Sequence, residues 1–169
     1  MRPLFAFLFG LALSLFAACE SQPPPTQSER WIEAHQASAS LTEVQGEHAL
    51  LSVYQVNEQV AFMVGGGVGP ESGVVYRLEN GELWPENVPP GPALWWVWGL
   101  PNGRLWACGD RGRILSRSEQ GEWTEETTPL ADDTILYGIW GDDSGHLWSV
   151  GGSYRRTGEQ NIILTSSGN

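Results

Sequence analysis

Residues 94–99 read LWWVWG, and a close copy of this stretch, LYGIWG, returns at residues 136–141. Trp98 and Trp140 are thus 42 residues apart, and a weaker copy, LLSVYQ, places Tyr54 44 residues before Trp98. A second run follows each copy at nearly the same distance: AFMVG from Ala61, LWACG from Leu105 and LWSVG from Leu147. Three copies in register indicate an internal repeat.

A third run completes each copy, as VVYRL from Val74, RILSR from Arg113 and IILTS from Ile162. Turn signals separate the runs, namely Glu79-Asn80-Gly81, Pro101-Asn102-Gly103 and Asp143-Ser144-Gly145. In the first two copies a fourth run follows, marked by Gly81 with Trp84 and by Gly121 with Trp123. Four short strands in about 40 to 45 residues are typical of a propeller blade. The sequence therefore predicts an all-β fold, a partial β-propeller of about three four-stranded antiparallel blades near residues 48–91, 92–132 and 133–169.

The first run of each copy is apolar on both faces. Strict alternation predicts that Trp95 and Val97 point one way while Leu94, Trp96 and Trp98 point the other. In the third copy, Tyr137 and Ile139 oppose Leu136 and Trp140 by the same rule. Because neither face carries polar residues, we expect these strands to lie between neighbouring sheets, with the repeat tryptophans buried there.

The series WVWG, LWACG, GRIL and GEW resembles the degenerate propeller repeats grouped with bacterial neuraminidase (BNR) repeats and photosystem II assembly factor-like proteins. The resemblance covers roughly residues 48–169 and implies an exported β-propeller. The sequence departs from the sialidase Asp-box, because Ser118 and Gln120 stand where that motif has Asp and Gly relative to Trp123. The RIP motif of true sialidases is missing as well.

A closed propeller ring generally needs at least four blades, and the third copy ends after its third strand. Trp31 could mark a lone outer strand that completes this last copy. Three alternatives remain open: a shortened copy of a longer propeller, three blades that pair with a second chain to make a six-bladed ring, or an open arc capped by its own loops.

The first nineteen residues indicate export. Arg2 precedes an uncharged apolar run from Leu4 to Ala18, which is too short to span a bilayer but suits a signal peptide at residues 1–18. The end of this run resembles the lipobox of bacterial lipoproteins, which implies a lipid on Cys19, with Phe16 where the family usually has Leu. Glu20 after the Cys implies outer-membrane sorting in the cell envelope.

Residues 19–30 are rich in Pro, Ser and Gln and predict a flexible tether, followed by the repeat domain at residues 31–169. The formal net charge is −11, and all nine basic residues are Arg, so the charge excludes a general nucleic-acid-binding role. Cys108 lies in an apolar run and is expected to be a small core residue.

Candidate site residues lie in the loops between the second and third runs. These loops vary in length while the strands do not, which favours recognition there. Trp96 is outside the aromatic repeat pattern and could stack on a sugar. Together the candidates for partner binding are Arg111, Tyr154, Arg155, Arg156 and Trp96.

The sequence predicts no metal site and no cofactor, since its three His and the Asp-rich turns lack ligand spacing. It also suggests no catalytic constellation. We therefore expect a non-enzymatic protein-interaction module with a protein partner or self-association. The alternatives are a glycan-binding module and a degenerate sialidase-like glycosidase relative or truncated propeller without independent function.

Overall fold

A computed structural model describes residues 48–153 and 161–166, and all regular structure in these ranges is β-strand. The predicted all-β class is therefore confirmed. The strands are β1 (Ala49–Gln55), β2 (Val60–Gly66), β3 (Val74–Glu79), β4 (Glu82–Pro85), β5 (Leu94–Gly99), β6 (Leu105–Gly109), β7 (Ile114–Arg117), β8 (Trp123–Glu126), β9 (Ile135–Gly141), β10 (Leu147–Gly152) and β11 (Asn161–Ser166).

The strands form three antiparallel sheets in chain order. Sheet 1 has the order β1-β2-β3-β4, sheet 2 has the order β5-β6-β7-β8, and sheet 3 has the order β9-β10-β11. Neighbouring strands are therefore consecutive in the chain, as short turns between them require. Within the described residues sheet 3 has three strands, in agreement with the sequence pattern, and the outer edge of β11 has no strand partner there.

The turns lie where the sequence predicts them. Asn80 and Gly81, between β3 and β4, both have positive φ, 52° and 85°, which matches the twist of a tight hairpin. Gly121 closes the equivalent turn between β7 and β8 with φ of 94°, and Gly103 and Gly145 close the turns after β5 and β9 with φ of 88° and 86°. Glycine adopts these angles without steric cost, so each turn sets the register of its hairpin.

The first strand of every sheet contains a bulge, and a glycine at or beside the end of the second strand faces it. The glycines are Gly65, Gly109 and Gly151, and the shifts in register lie on the first strands, between Leu50 and Ser52, between Leu94 and Trp96, and between Leu136 and Gly138. A β-carbon on Gly109 would lie 2.8 Å from Cα of Leu94 and would collide with the carbonyl of Ala93. The bulge therefore requires a residue without a side chain on the facing strand.

The bulge corrects the predicted face pattern. Leu94 pairs with Gly109 and lies on the same face as Val97, not opposite it, and both side chains are buried. Trp95, the extra residue at the shift, and Trp96, which follows it, are both exposed. In sheet 3 Leu136 likewise shares a face with Ile139, because the extra residue reverses the alternation.

Sheet 1 packs on sheet 2 through one apolar core. Phe62, Val64 and Val75 come from sheet 1, and they meet residues of sheet 2 that include Leu94 and Val97. The first strands of the two sheets, β1 and β5, lie side by side at this interface. Phe62 contacts Trp123 edge to face, with ring centroids 6.5 Å apart.

Sheet 2 packs on sheet 3 through a second core of the same kind. Trp106, Cys108 and Ile114 of sheet 2 meet Leu136 and Ile139 of sheet 3. Here β5 lies beside β9, as β1 lies beside β5 at the other interface. The sheets therefore form a series in which each covers the next with a matching strand.

A glycine at the end of the first strand allows this close approach. A β-carbon on Gly141 would lie 2.8 Å from Cζ3 of Trp98 in the preceding sheet. At the other interface, a β-carbon on Gly99 would lie 3.1 Å from Cε1 of Tyr54. The aromatic ring one residue before the end of the first strand of one sheet thus rests on the glycine that ends the first strand of the next sheet.

Two of the tryptophans that the sequence pattern equates lie on opposite faces. Trp123 pairs with Arg117 and is buried, whereas Trp84 is 48% exposed. Trp84 follows its turn glycine, Gly81, by three residues, and Trp123 follows Gly121 by two. Because side chains alternate along a strand, a difference of one residue reverses the face, so the prediction that Trp84 is a core residue is wrong.

Replacement of Gly109 by Ala should destabilise the fold by about 1–3 kcal/mol, because the added methyl group has to displace the backbone at Ala93 and Leu94. Gly138→Ala is the matched control. Its β-carbon meets nothing closer than Cγ2 of Val150 at 3.8 Å, so its effect should stay within about 1 kcal/mol. Urea unfolding of both variants measures the difference, and equal stabilities would contradict the role given to the bulge.

Candidate functional site

The outer face of sheet 3 carries four large apolar side chains that are open to solvent. Trp148 pairs with Trp140, and Val150 pairs with Ile163, so these four side chains share one face. Trp140 is 57% exposed and Ile163 is 76% exposed. The two indoles stack with centroids 5.5 Å apart at 30°. We call Trp140, Trp148, Val150 and Ile163 the sheet 3 end face.

The exposure of this face follows from its place in the series. The corresponding side chains of sheet 2 include Trp106, Cys108 and Ile114, and all three are buried because sheet 3 covers them. Trp140 and Trp148 were expected to be buried as well, and that expectation is wrong. They have the side chains of a core position, but none of the described sheets packs on their face.

Sheet 1 has a second open apolar face at the other end of the series. Val53 pairs with Met63, and Ala61 pairs with Leu78, which places these side chains together. Val53 is 61% exposed, whereas the matching Val97 of sheet 2 is 3% exposed. These four side chains are among the residues that line a hollow of about 550 Å³, and the polar Gln55 and the charged Glu58 line it as well. We call Val53, Ala61, Met63 and Leu78 the sheet 1 end face.

The loops between second and third strands meet at a third surface. Gly69 and Pro70 from one loop and Arg111 from the next line a cavity of about 620 Å³, together with Asp132 and Asp133. Arg111 is exposed and has φ of 59°, a conformation that residues other than glycine rarely adopt. The structure thus brings the first two predicted recognition loops together around one opening.

The other predicted site residues have different positions. Trp96 is 47% exposed and is not among the residues that line the Arg111 cavity. Its neighbour Trp95 donates from Nε1 to Oδ1 of Asp110 at 2.8 Å. Cys19, Tyr154, Arg155 and Arg156 lie outside the described residues, and so do the signal segment, the tether and the strand expected near Trp31.

A fourth opening lies between sheets 2 and 3. It has a volume of about 480 Å³, and Trp106, Ile114 and Leu164 are among its lining residues. At the interface between sheets 1 and 2, Trp123 of the fourth strand β8 reaches Phe62, whose counterpart in sheet 2 is Trp106. The opening between sheets 2 and 3 lies beside β11 and beside the fourth strand of sheet 2, β8. In the described residues sheet 3 has no fourth strand whose side chain could fill the opening as Trp123 fills the other interface.

One turn brings together a Ser, a His and an Asp. Oγ of Ser144 lies 2.7 Å from Nδ1 of His146, and Oδ2 of Asp142 lies 3.3 Å from the same nitrogen. The Ser144 hydroxyl also donates to Asp142, and this bond is the main cause that lowers the pKa of the carboxyl to about 2. A relay would use the two ring nitrogens separately, so this geometry is that of an Asp-capped turn. The spacing of these residues in the sequence does not by itself predict these contacts.

Among residues 48–153 and 161–166, no group of three His, Cys, Asp or Glu is placed to hold a metal ion. The same part of the chain contains no helix long and apolar enough to cross a membrane. The described fold and surfaces define an all-β protein of three serially packed antiparallel sheets with open apolar ends. Comparisons with family models, curated proteins and solved structures find no match.

The core position of Cys108 makes its chemistry testable. The thiol is fully buried near the carbonyl of Leu136, and burial raises its pKa to about 12. At pH 8 the thiolate fraction is then on the order of 10⁻⁴, so a disulfide reagent should not react in the folded state. In a Cys19→Ser chain, we expect one thiol to become reactive only after denaturation. Rapid reaction of the native chain would contradict the burial of Cys108.

Proposed function

We propose that this chain is an exported, lipid-anchored, non-enzymatic protein-interaction module whose three sheets are blades of a partial β-propeller. The serial packing of the sheets, first strand beside first strand, supports the propeller-like arrangement. The apolar run of residues 4–18 and Cys19 support export and lipid attachment in the bacterial cell envelope, with outer-membrane sorting. The lipid would hold the protein to a membrane and leave the sheets free to meet a partner.

The sheet 3 end face is the observation that carries the interaction function. Exposed apolar patches with stacked aromatic rings are costly in water and are typical of protein interfaces. Trp140 and Trp148 present broad indole surfaces, and tryptophan is among the residues that contribute most to binding energy. β11 is an outer strand of sheet 3 in the described part of the chain, and its backbone could add hydrogen bonds to a partner next to the same face.

A photo-crosslinking experiment tests this function. With p-benzoylphenylalanine at position 163, illumination of cells that export the protein should give a discrete product of higher mass. The same residue at position 68 is the control, because Val68 is a fully exposed apolar residue in a loop outside both end faces. Val150→Asp on the same face should remove the product, since a buried unpaired carboxylate opposes association. Equal products from positions 163 and 68 would contradict the proposal.

A glycan-binding function is the second candidate, and the exposure of Trp95 and Trp96 favours it. Trp95 is the extra residue in the bulge of β5, and Trp96 follows it. The Trp95 indole donates a hydrogen bond to Asp110. The Trp95 indole, which its hydrogen bond orients, and the neighbouring exposed Trp96 indole could together stack on a sugar. The degenerate glycosidase alternative has no such observation in its favour.

Binding to a glycan array separates the two candidates. If the glycan function is correct, the wild type binds a sugar saturably and Trp96→Ala abolishes binding. Trp84→Ala is the matched control, because Trp84 has nearly the same exposed fraction on a different sheet. An array without signal supports the interaction module and counts against the glycan function.

A further inference from the structure

We propose that the partner of the two end faces is a second copy of this chain, bound head to tail. In this arrangement the sheet 3 end face of one copy packs on the sheet 1 end face of the other. This inference deepens the proposed interaction function and rests on it.

The chain already contains this type of interface twice. The face of sheet 1 with Phe62 and Val64 covers the face of sheet 2 with Val97. The opposite face of sheet 2, with Trp106 and Cys108, covers sheet 3 in the same way. A head-to-tail contact would repeat this pairing a third time, so it continues an interface that the fold has established.

The exposed residues correspond to the buried ones position by position. On the sheet 3 end face, Trp148 and Val150 occupy the places that Trp106 and Cys108 occupy in sheet 2. On the sheet 1 end face, Val53 occupies the place of Val97. The sheet 3 end face therefore matches one side of the internal interface, and the sheet 1 end face matches the other side.

Shape also favours this pairing over a contact between like faces. The sheet 3 end face projects the indoles of Trp140 and Trp148, and the sheet 1 end face contains the hollow of about 550 Å³. An indole against a hollow permits close packing, whereas two indole faces would meet as projections. A large apolar contact is consistent with the exposure of Val53 and Ile163 in a single copy.

One residue differs from the internal pattern and provides a test. Tyr54 and Trp98 each rest on a glycine, Gly99 and Gly141, in the next sheet. Gln55 stands at the corresponding place of sheet 1. The Trp140 ring of a second copy would thus meet Gln55, whose exposed side chain has to move aside. Gln55→Gly should therefore tighten the association, with a lower dissociation constant than that of the wild type.

The net charge sets the salt dependence. Each copy carries a formal charge of −11, and Glu58 at the edge of the hollow is one of the acidic residues, while the four named side chains of each end face are uncharged. Salt screens the repulsion between copies and leaves the apolar contact intact. The dissociation constant should therefore fall as the salt concentration rises, which is opposite to the behaviour of a contact between opposite charges.

Light scattering and sedimentation of three single variants test the pairing. The full chain carries Cys19→Ser, so that no lipid is attached, and it should have the mass of two or more copies of 18.5 kDa. Val53→Asp and Ile163→Asp each place a carboxylate on one end face and should weaken self-association at least about a hundredfold. Val68→Asp is the matched control and should associate as the wild type does. All three side chains are exposed, and thermal unfolding checks that each variant is folded.

A mixture of the two end-face variants gives the decisive result. The Val53→Asp chain keeps an intact sheet 3 end face, and the Ile163→Asp chain keeps an intact sheet 1 end face. A head-to-tail contact therefore predicts that the mixture forms a complex of two chains, although neither variant associates alone. If only Ile163→Asp prevents association, the Val53→Asp chain still associates with itself, so like faces pair and the head-to-tail contact is wrong. If both variants fail to associate alone and their mixture also stays monomeric, the head-to-tail contact is wrong as well.

A monomeric wild type at high salt would overturn the self-association. If position 163 still gave a crosslink to a different protein in cells, the interaction function would stand with another partner. Absence of both self-association and the crosslink would remove the proposed function as well. The two failures are therefore distinguishable.

Discussion

The packing of one apolar sheet face on the next is the interaction on which the described fold depends. Each sheet has two apolar faces, and a short antiparallel sheet of this kind has little stability unless both are covered. Sheet 2 is covered on both sides, by sheet 1 at Phe62 and Val64 and by sheet 3 at Leu136 and Ile139. Sheets 1 and 3 each have one covered face. The open apolar surfaces are thus a direct result of the serial architecture.

A buried arginine, Arg113, and a half-buried one, Arg117, join the sheets at their polar edges. The Arg113 side chain is almost fully buried, and its guanidinium donates to the carbonyls of Pro89 and Pro92 in the segment that links sheets 1 and 2. Burial lowers the pKa of this group, while an ion pair with Glu125 at 3.4 Å opposes that effect. Arg117 lies over the ring of Phe62, with 4.7 Å between Cζ and the ring centroid. These contacts hold the connecting segment and the interface together without breaking the apolar core.

The candidate surfaces could be predicted only in part. The variable length of its loop predicted Arg111 as a candidate. In the structure the Arg111 loop and the Gly69 loop line the same opening, which Asp132 and Asp133 line as well. The end faces were missed as surfaces because Trp140 and Trp148 have the residue types of a core position. Residue type is a local property, whereas the exposure of a side chain depends on whether another sheet packs on its face. Three repeat copies are too few for a closed ring, and this shortage was the signal in the sequence that could have predicted exposed end faces.

The amino-acid sequence by itself determined the strands, the hairpin turns and the three-fold division of this region, because period-two patterns, Asn-Gly and Gly turns and a repeated spacing act locally along the chain. Only the tertiary structure decided which side chains share a face. One bulge in each first strand moved Leu94 to the side of Val97, and one extra residue separated Trp84 from Trp123. The tertiary structure also decided which apolar faces are covered. Coverage depends on packing between segments far apart in the chain, and no local pattern encodes which face another sheet will cover.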